Sequence, residues 1–123
     1  MDERKEIFDQ IKSLIKKYEP PFNARSDFES RYELWSEKEV VIAGRKRKDV
    51  YFAGLIIQSN YVGFYFMPIY TDTKLKDVFG AELLATLKGK SCFHIIKIEK
   101  KLLSQIKKSL EVGFKQYKKR GWV

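Results

Sequence analysis

The middle of the chain, residues 32–70, has the residue pattern of consecutive β-strands joined by short turns. Four segments are rich in the β-branched and aromatic residues that favour strands: YELWS (32–36), EVVIAG (39–44), VYFAGLIIQ (50–58) and YVGFYFMPIY (61–70). Ser59-Asn60 is a tight hairpin signal, and GRKRKD (44–49) predicts another turn, with four consecutive cations at its tip. Because turns this short join antiparallel strands, the segment predicts an antiparallel meander.

Helical spacing of apolar residues marks both ends of the chain. Residues 2–18 predict an amphipathic helix that ends before Pro20 and Pro21, and residues 99–119 predict a second long helix. The other predicted elements are an irregular polar approach at 26–31, a short helix at about 80–87 closed by Gly89, and a last strand at 91–98. This order predicts an α+β fold, a two-layer sandwich in which an antiparallel sheet packs on the N- and C-terminal helices.

Length and composition limit the class of protein. A chain of 123 residues corresponds to one domain, 1–123, and 44% hydrophobic residues exclude intrinsic disorder. The single cysteine excludes a disulfide framework and favours a reducing compartment. The sequence has no charged-then-apolar leader and no apolar run of the roughly 20 residues that span a bilayer. We therefore expect a cytoplasmic protein without a membrane partner.

Two long segments resemble the YdhG-like family of small bacterial domains, which are similar in fold to frataxins. They are YELWSEKEVVIAGRKRKDVYFAGLIIQSNYVGFYFMPIY (32–70) and LKGKSCFHIIKIEKKLLSQIKKSLEVGFKQYKKRGW (87–122), and their most specific parts are GFYFMPIY and KGKSCFHI. The resemblance implies an α–β–α sandwich with both terminal helices on one face of an antiparallel sheet. This agrees with the order of elements inferred from the residues.

The net charge of +9 is concentrated near the C-terminus, where residues 97–123 hold nine basic and two acidic residues. At helical pitch, seven lysines fall within roughly 120° of one another, and only Glu111 interrupts them: Lys100, Lys101, Lys107, Lys108, Lys115, Lys118 and Lys119. Such a face is either a solvated surface or a binding surface for an anionic partner. The residues we expect to bind that partner are Lys101, Lys108, Lys115 and Lys119, with Arg45, Lys46 and Arg47 of the predicted turn.

The aromatic strand 61–67 has two faces by alternation. Val62, Phe64 and Phe66 suit a helix-covered core, and Pro68 is expected at the end of the strand or on an edge. The other side carries Tyr61, Gly63, Tyr65 and Met67, where rings could stack on a planar ligand. Core and sheet packing is the favoured interpretation, and a small-molecule pocket formed by Tyr65, Met67 and His94 is an alternative.

Cys92 and His94 are two residues apart on a predicted strand and would therefore share a face. A thiol and an imidazole can form a nucleophile–base pair or bind a metal. The chain holds one cysteine and one histidine, too few for a structural zinc site with four such ligands. Without a phosphate loop, a nucleophile elbow or an HExxH motif, the sequence predicts no catalytic residues and no enzyme.

An iron site is implied only by the resemblance to frataxins, which hold iron on an acidic first helix. Some YdhG-like members have been assigned an iron-chaperone role on that analogy. Here Asp2, Glu6 and Asp9 would form the acidic side, beside Lys12 and Lys16. The favoured prediction is therefore a non-enzymatic binding module without a cofactor, whose partner is an anion or a protein. A nucleic acid is one possible anionic partner, although no motif indicates one. The alternative is an intracellular iron chaperone.

Overall fold

In the computed structural model, which describes residues 3–123, helices from both ends of the chain lie on one face of an antiparallel sheet. The helices are α1 (Glu3–Ile15), α2 (Met67–Thr71), α3 (Ala81–Leu84) and α4 (Lys100–Arg120). The strands are β1 (Asn23–Phe28), β2 (Arg31–Ser36), β3 (Val40–Ile42), β4 (Arg45–Arg47), β5 (Val50–Ile57), β6 (Val62–Phe66), β7 (Leu87–Lys88) and β8 (Cys92–Ile95). The predicted α+β sandwich is confirmed.

Six strands form the main sheet in the order β1-β2-β5-β6-β8-β7, and every pair is antiparallel. Alternation sends one side chain in two toward the helices, so Val62, Phe64 and Phe66 of β6 are fully buried. A register shift between β2 and β5 allows the neighbours Phe52 and Ala53 both to be buried. The core predicted for the aromatic strand is therefore present.

A cluster of aromatic rings joins the helices to the sheet. Phe22, just before β1, stacks on Phe52 with ring centroids 4.2 Å apart. Tyr117 of α4 contacts the same Phe52 ring edge-on at 5.3 Å. Its hydroxyl donates a hydrogen bond to the carbonyl oxygen of Tyr51 at 2.6 Å. This bond fixes the C-terminal part of α4 against the beginning of β5.

The prediction that 26–31 are irregular is wrong in part. Residues 23–28 form β1, an edge strand of the main sheet. Its residues are mostly polar because they are exposed or half-buried at the edge. A register shift near Arg25 also breaks the alternation that would have indicated a strand. The sequence therefore lacked the apolar signal on which strand prediction depends.

The hairpin of β3 and β4 also differs from its prediction. Its turn is at Ala43 and Gly44, both with positive φ, and the cations Arg45 to Arg47 form a strand rather than the tip of a turn. The two strands pair only with each other, as a ribbon outside the main sheet. Because β4 is exposed on both sides, it has no apolar period to reveal it.

Two short elements replace the predicted helix at 80–87. Helix α3 ends at Leu84, and β7 begins after Ala85 and Thr86 and pairs with β8. Gly89 is therefore not a helix cap. It lies in the turn between β7 and β8 with φ +79°, a conformation that suits glycine. Strand β6 ends at Phe66, and Pro68 follows it near the start of α2, in keeping with its expected place at a strand end.

Candidate cationic binding surface

The lysine face predicted for the C-terminal helix is present on α4. All seven lysines are exposed, whereas Leu102, Ile106 and Tyr117 on the opposite side are buried. Among residues 3–123, Lys101 is the one of the seven that pairs with a carboxylate, with its Nζ 3.3 Å from Glu82. The three other helix lysines predicted to bind an anion, Lys108, Lys115 and Lys119, have no ion pair in the described chain.

The β3–β4 hairpin is attached next to the C-terminal end of α4. The Ser36 hydroxyl, at the end of β2, donates a hydrogen bond to the carbonyl oxygen of Trp122 just after the helix. Burial raises the pKa of Tyr117, and the charges of Arg120 and Arg47 oppose that shift. Strand β3 begins at Val40, shortly after Ser36, so the hairpin starts beside the end of α4. The structure therefore brings the predicted hairpin cations to the end of the helix that holds Lys115 and Lys119.

Two further basic segments lie at the same end of the sheet. Asp72, just after α2, accepts a hydrogen bond from Gln116 of α4 at 2.6 Å, and this contact places residues 74–76 beside the helix. The amide of Phe66 donates to the carbonyl oxygen of Ser91, which holds the β7–β8 turn next to α2. Lys88 is the last residue of β7, and Lys90 lies in the turn. Neither segment was predictable from the sequence as part of a binding surface, because each contains only two lysines.

Four segments thus lie at one end of the molecule, which we call the cationic end: residues 45–48, 74–76, 88–90 and 115–120. Together they contain twelve basic and no acidic residues. Within residues 3–123, Arg120 is the one member that forms an ion pair, 3.7 Å from Asp72. Eleven of the twelve cations therefore have no carboxylate partner in the part of the chain that the structure describes.

Basic residues on α1, β1 and β2 are arranged differently. Lys12 lies 2.7 Å from Asp27, and Arg31 lies 2.7 Å from Glu33. Arg25 binds both Glu37 and Asp49 while its guanidinium stacks over Trp35. Attraction to external anions is weakened where a cation already has an acidic neighbour. Among residues 3–123, the cationic end therefore holds more unpaired cations than α1, β1 and β2.

The face of the sheet opposite the helices carries the other predicted site residues. Tyr65 lies over Gly63, since a Cβ built on that glycine would be 2.7 Å from the tyrosine ring. His94 stacks on Tyr61 with centroids 3.8 Å apart. Met67 is the first residue of α2 and does not belong to β6. Four cavities of the described chain are lined by other residues, so the pocket of Tyr65, Met67 and His94 stays a prediction.

Cys92 and His94 share this open face, as the alternation predicted, because they pair with Tyr65 and Gly63 on β6. Burial raises the pKa of the Cys92 thiol, and the hydrogen-bonding effect of Tyr65 opposes the shift only in part. The thiol form is therefore favoured at neutral pH. Since the thiolate is the nucleophile, this environment does not activate Cys92.

The acidic side of α1 is partly engaged with neighbouring groups. Asp9 lies 3.1 Å from Lys5, and Glu6 accepts a hydrogen bond from Gln10 at 3.3 Å. Asp2 lies outside the described residues. Within residues 3–123, no group of three or more His, Cys, Asp or Glu side chains is arranged to hold a metal ion. Iron binding by Asp2, Glu6 and Asp9 stays a prediction.

Comparisons with known proteins add no relative: no family model, curated protein or solved structure matches the chain. Between residues 3 and 123, every helix is too short or too polar to cross a bilayer. Inferences about function accordingly depend on the geometry and charge of the molecule.

Proposed function

We propose that this chain is a non-enzymatic binding module that holds an extended polyanion on its cationic end and on the adjoining lysine face of α4. The proposal includes the placement among YdhG-like domains, which rests on the resemblance of residues 32–70 and 87–122. The observation that supports it best is the placement of four basic segments, separated in sequence, at one end of the molecule. Among residues 3–123, eleven of their twelve cations form no ion pair with a carboxylate.

The types of residue indicate the kind of recognition. Nine of the twelve cations are lysines, which act as point charges on flexible stems, whereas arginine makes bidentate contacts with carboxylate or phosphate. Such a surface attracts closely spaced negative charges without reading their exact geometry. We therefore expect affinity to depend strongly on ionic strength and weakly on the sequence of the polyanion.

The experiment is a salt titration of binding to a fluorescent single-stranded oligothymidylate by anisotropy. The wild type is compared with K115Q/K119Q, which removes two unpaired lysines of the cationic end. Each lost phosphate contact reduces the slope of log K against log salt by about 0.7 for a single strand. We expect the double variant to bind more weakly at low salt, with a slope smaller by about 1.4.

The matched control is K5Q/K97Q, which also removes two positive charges. Lys5 and Lys97 lie away from the cationic end and pair with Asp9 and Glu99. This control should bind nearly as well as the wild type. Equal losses in both variants would mean that net charge alone causes binding, and the proposed surface would be wrong. Binding of polyglutamate, measured in the same way, tests whether the surface also binds a polyanion whose charges are carboxylates.

A further inference from the structure

A cavity of about 490 Å³ opens at the cationic end between α2, the segment after it and the β7–β8 turn. It is lined by Ile69, Tyr70, Thr73, Lys76, Gly89 and Lys90. Its residues come from three separate parts of the chain, and the contact of Lys90 with the Tyr70 ring, 5.6 Å from ammonium to centroid, joins two of them. Ile69 is fully buried, whereas Tyr70 is 52% exposed and offers an aromatic wall.

Two of the six residues that line this cavity are positively charged lysines, Lys76 and Lys90. No carboxylate lines it, and within residues 3–123 neither Lys76 nor Lys90 forms an ion pair. The nearby Asp72 is engaged with Gln116 and Arg120. A lysine ammonium carries three donors and no acceptor. The cavity therefore has uncompensated positive charge.

Backbone amides of the β7–β8 turn add to this set. No backbone hydrogen bond among residues 3–123 uses the amides of Gly89 and Lys90. Gly89 has φ +79°, and apart from Gly89 itself and its two chain neighbours no residue has an atom within 4 Å of the position a Cβ would take, so the turn is open to a ligand. Successive free amides in a turn with a left-handed residue form a concavity that favours anions.

The geometry points to this cavity as a binding site for a phosphate-bearing small molecule. Lys76, Lys90 and the two turn amides hold the phosphate oxygens, and Thr73 adds a hydroxyl donor. The organic part of the ligand packs on Tyr70. The cavity lies within the cationic end and so rests on the charge argued for the proposed function, but a small molecule with one phosphate group can bind there without contacting 45–48 or 115–120. Either proposal can fail without the other.

Amide NMR of the whole chain tests the site with phenyl phosphate and inorganic phosphate, at constant ionic strength maintained with sodium chloride. We expect saturable shifts at Thr73, Gly89 and Lys90, with phenyl phosphate binding more tightly because its ring contacts Tyr70. The variant K76Q/K90Q should lose at least about tenfold in affinity, since it removes both charged donors. Its melting temperature should stay close to that of the wild type, because both lysines are exposed.

The control is K74Q/K88Q, which alters two exposed lysines on the same two segments that do not line the cavity. Both double variants change the net charge equally, so long-range attraction falls equally. Retained phosphate affinity in K74Q/K88Q, with loss in K76Q/K90Q, supports the site. Equal effects of the two variants, or shifts that never saturate, would overturn it. Binding of the oligothymidylate is scored separately and decides only the polyanion proposal.

Discussion

Two neighbouring aromatic residues of β6, Phe64 and Tyr65, lie on opposite faces of the sheet in different environments. Phe64 faces the helices, is fully buried, and contacts Phe66 and Phe93 with centroid distances of 5.6 Å. Tyr65 faces the other way and is half-buried, with its ring over Gly63. The alternation of a strand imposes this division. The abundance of aromatic residues at 61–70 is thus explained mainly by packing within the protein.

Phe64→Ala should therefore be strongly destabilising. Removing a buried phenyl ring loses its transfer free energy and leaves a cavity, which costs about 3–5 kcal/mol of unfolding free energy. The control is Phe28→Ala, the same change on edge strand β1, where the side chain is 55% exposed. Its cost should be within about 0.5 kcal/mol. Urea denaturation measures both. A similar small loss in the two variants would show that Phe64 is not part of a packed core.

Helix α4 combines a packed side with a charged side along its whole length. Gly113 is on the packed side, where an added Cβ would come within 2.5 Å of Phe66 and 2.8 Å of Pro68. Gly121, with φ +76°, ends the helix in a left-handed conformation, and its amide donates to Lys118. The lysines project from the other side. The charge of this helix can accordingly be changed without touching the core.

The variant K101Q/K108Q/K115Q/K119Q should keep the native fold. All four lysines are exposed, and glutamine has a helix propensity close to that of lysine. The ion pair of Lys101 with Glu82 is at the surface, where such pairs contribute little to the free energy of unfolding. Circular dichroism should show an unchanged helical signal and a melting temperature shifted by no more than a few degrees. Ile106→Gln, on the buried side of the same helix, is the comparison that should unfold readily. Loss of helix in the lysine variant would mean that the charged face was misplaced.

Elements with a strong apolar period were predictable from sequence, and those without one were not. The helices α1 and α4 and the strands β2, β5 and β6 each bury one face or most of their length, and their patterns show it. The strand β4 is exposed on both sides, and β1 is a polar edge strand. For these two, hydrogen bonds to a neighbouring strand determine the structure. These hydrogen bonds depend on the neighbouring strand, so the sequence of the segment itself does not predict them.

At the scale of the whole molecule, charge is distributed by the topology of the sheet. One edge of the molecule contains the last residues of β2, β6 and α4 and the first residues of β5 and β8. The connections between these elements carry the basic segments. The sequence revealed the lysine face of α4 and the cations of 45–48 as separate features. Their meeting with 74–76 and 88–90 could not be predicted, because no periodicity relates segments so far apart.

This concentration of like charge should make the fold more stable as salt is added. Raising sodium chloride from about 10 mM to about 0.3 M shortens the screening length from about 30 Å to below 10 Å, which weakens repulsion among unpaired cations. The melting temperature of the wild type should therefore rise. K115Q/K119Q should be more stable than the wild type at low salt, and the difference should shrink at high salt. K5Q/K97Q, which loses the pairs of Lys5 with Asp9 and Lys97 with Glu99, should gain no such advantage.

Chloride is the appropriate salt, because phosphate that bound the folded state would stabilise it by mass action. A melting temperature that fell with added chloride would show that the attractive surface pairs outweigh the repulsion at the cationic end.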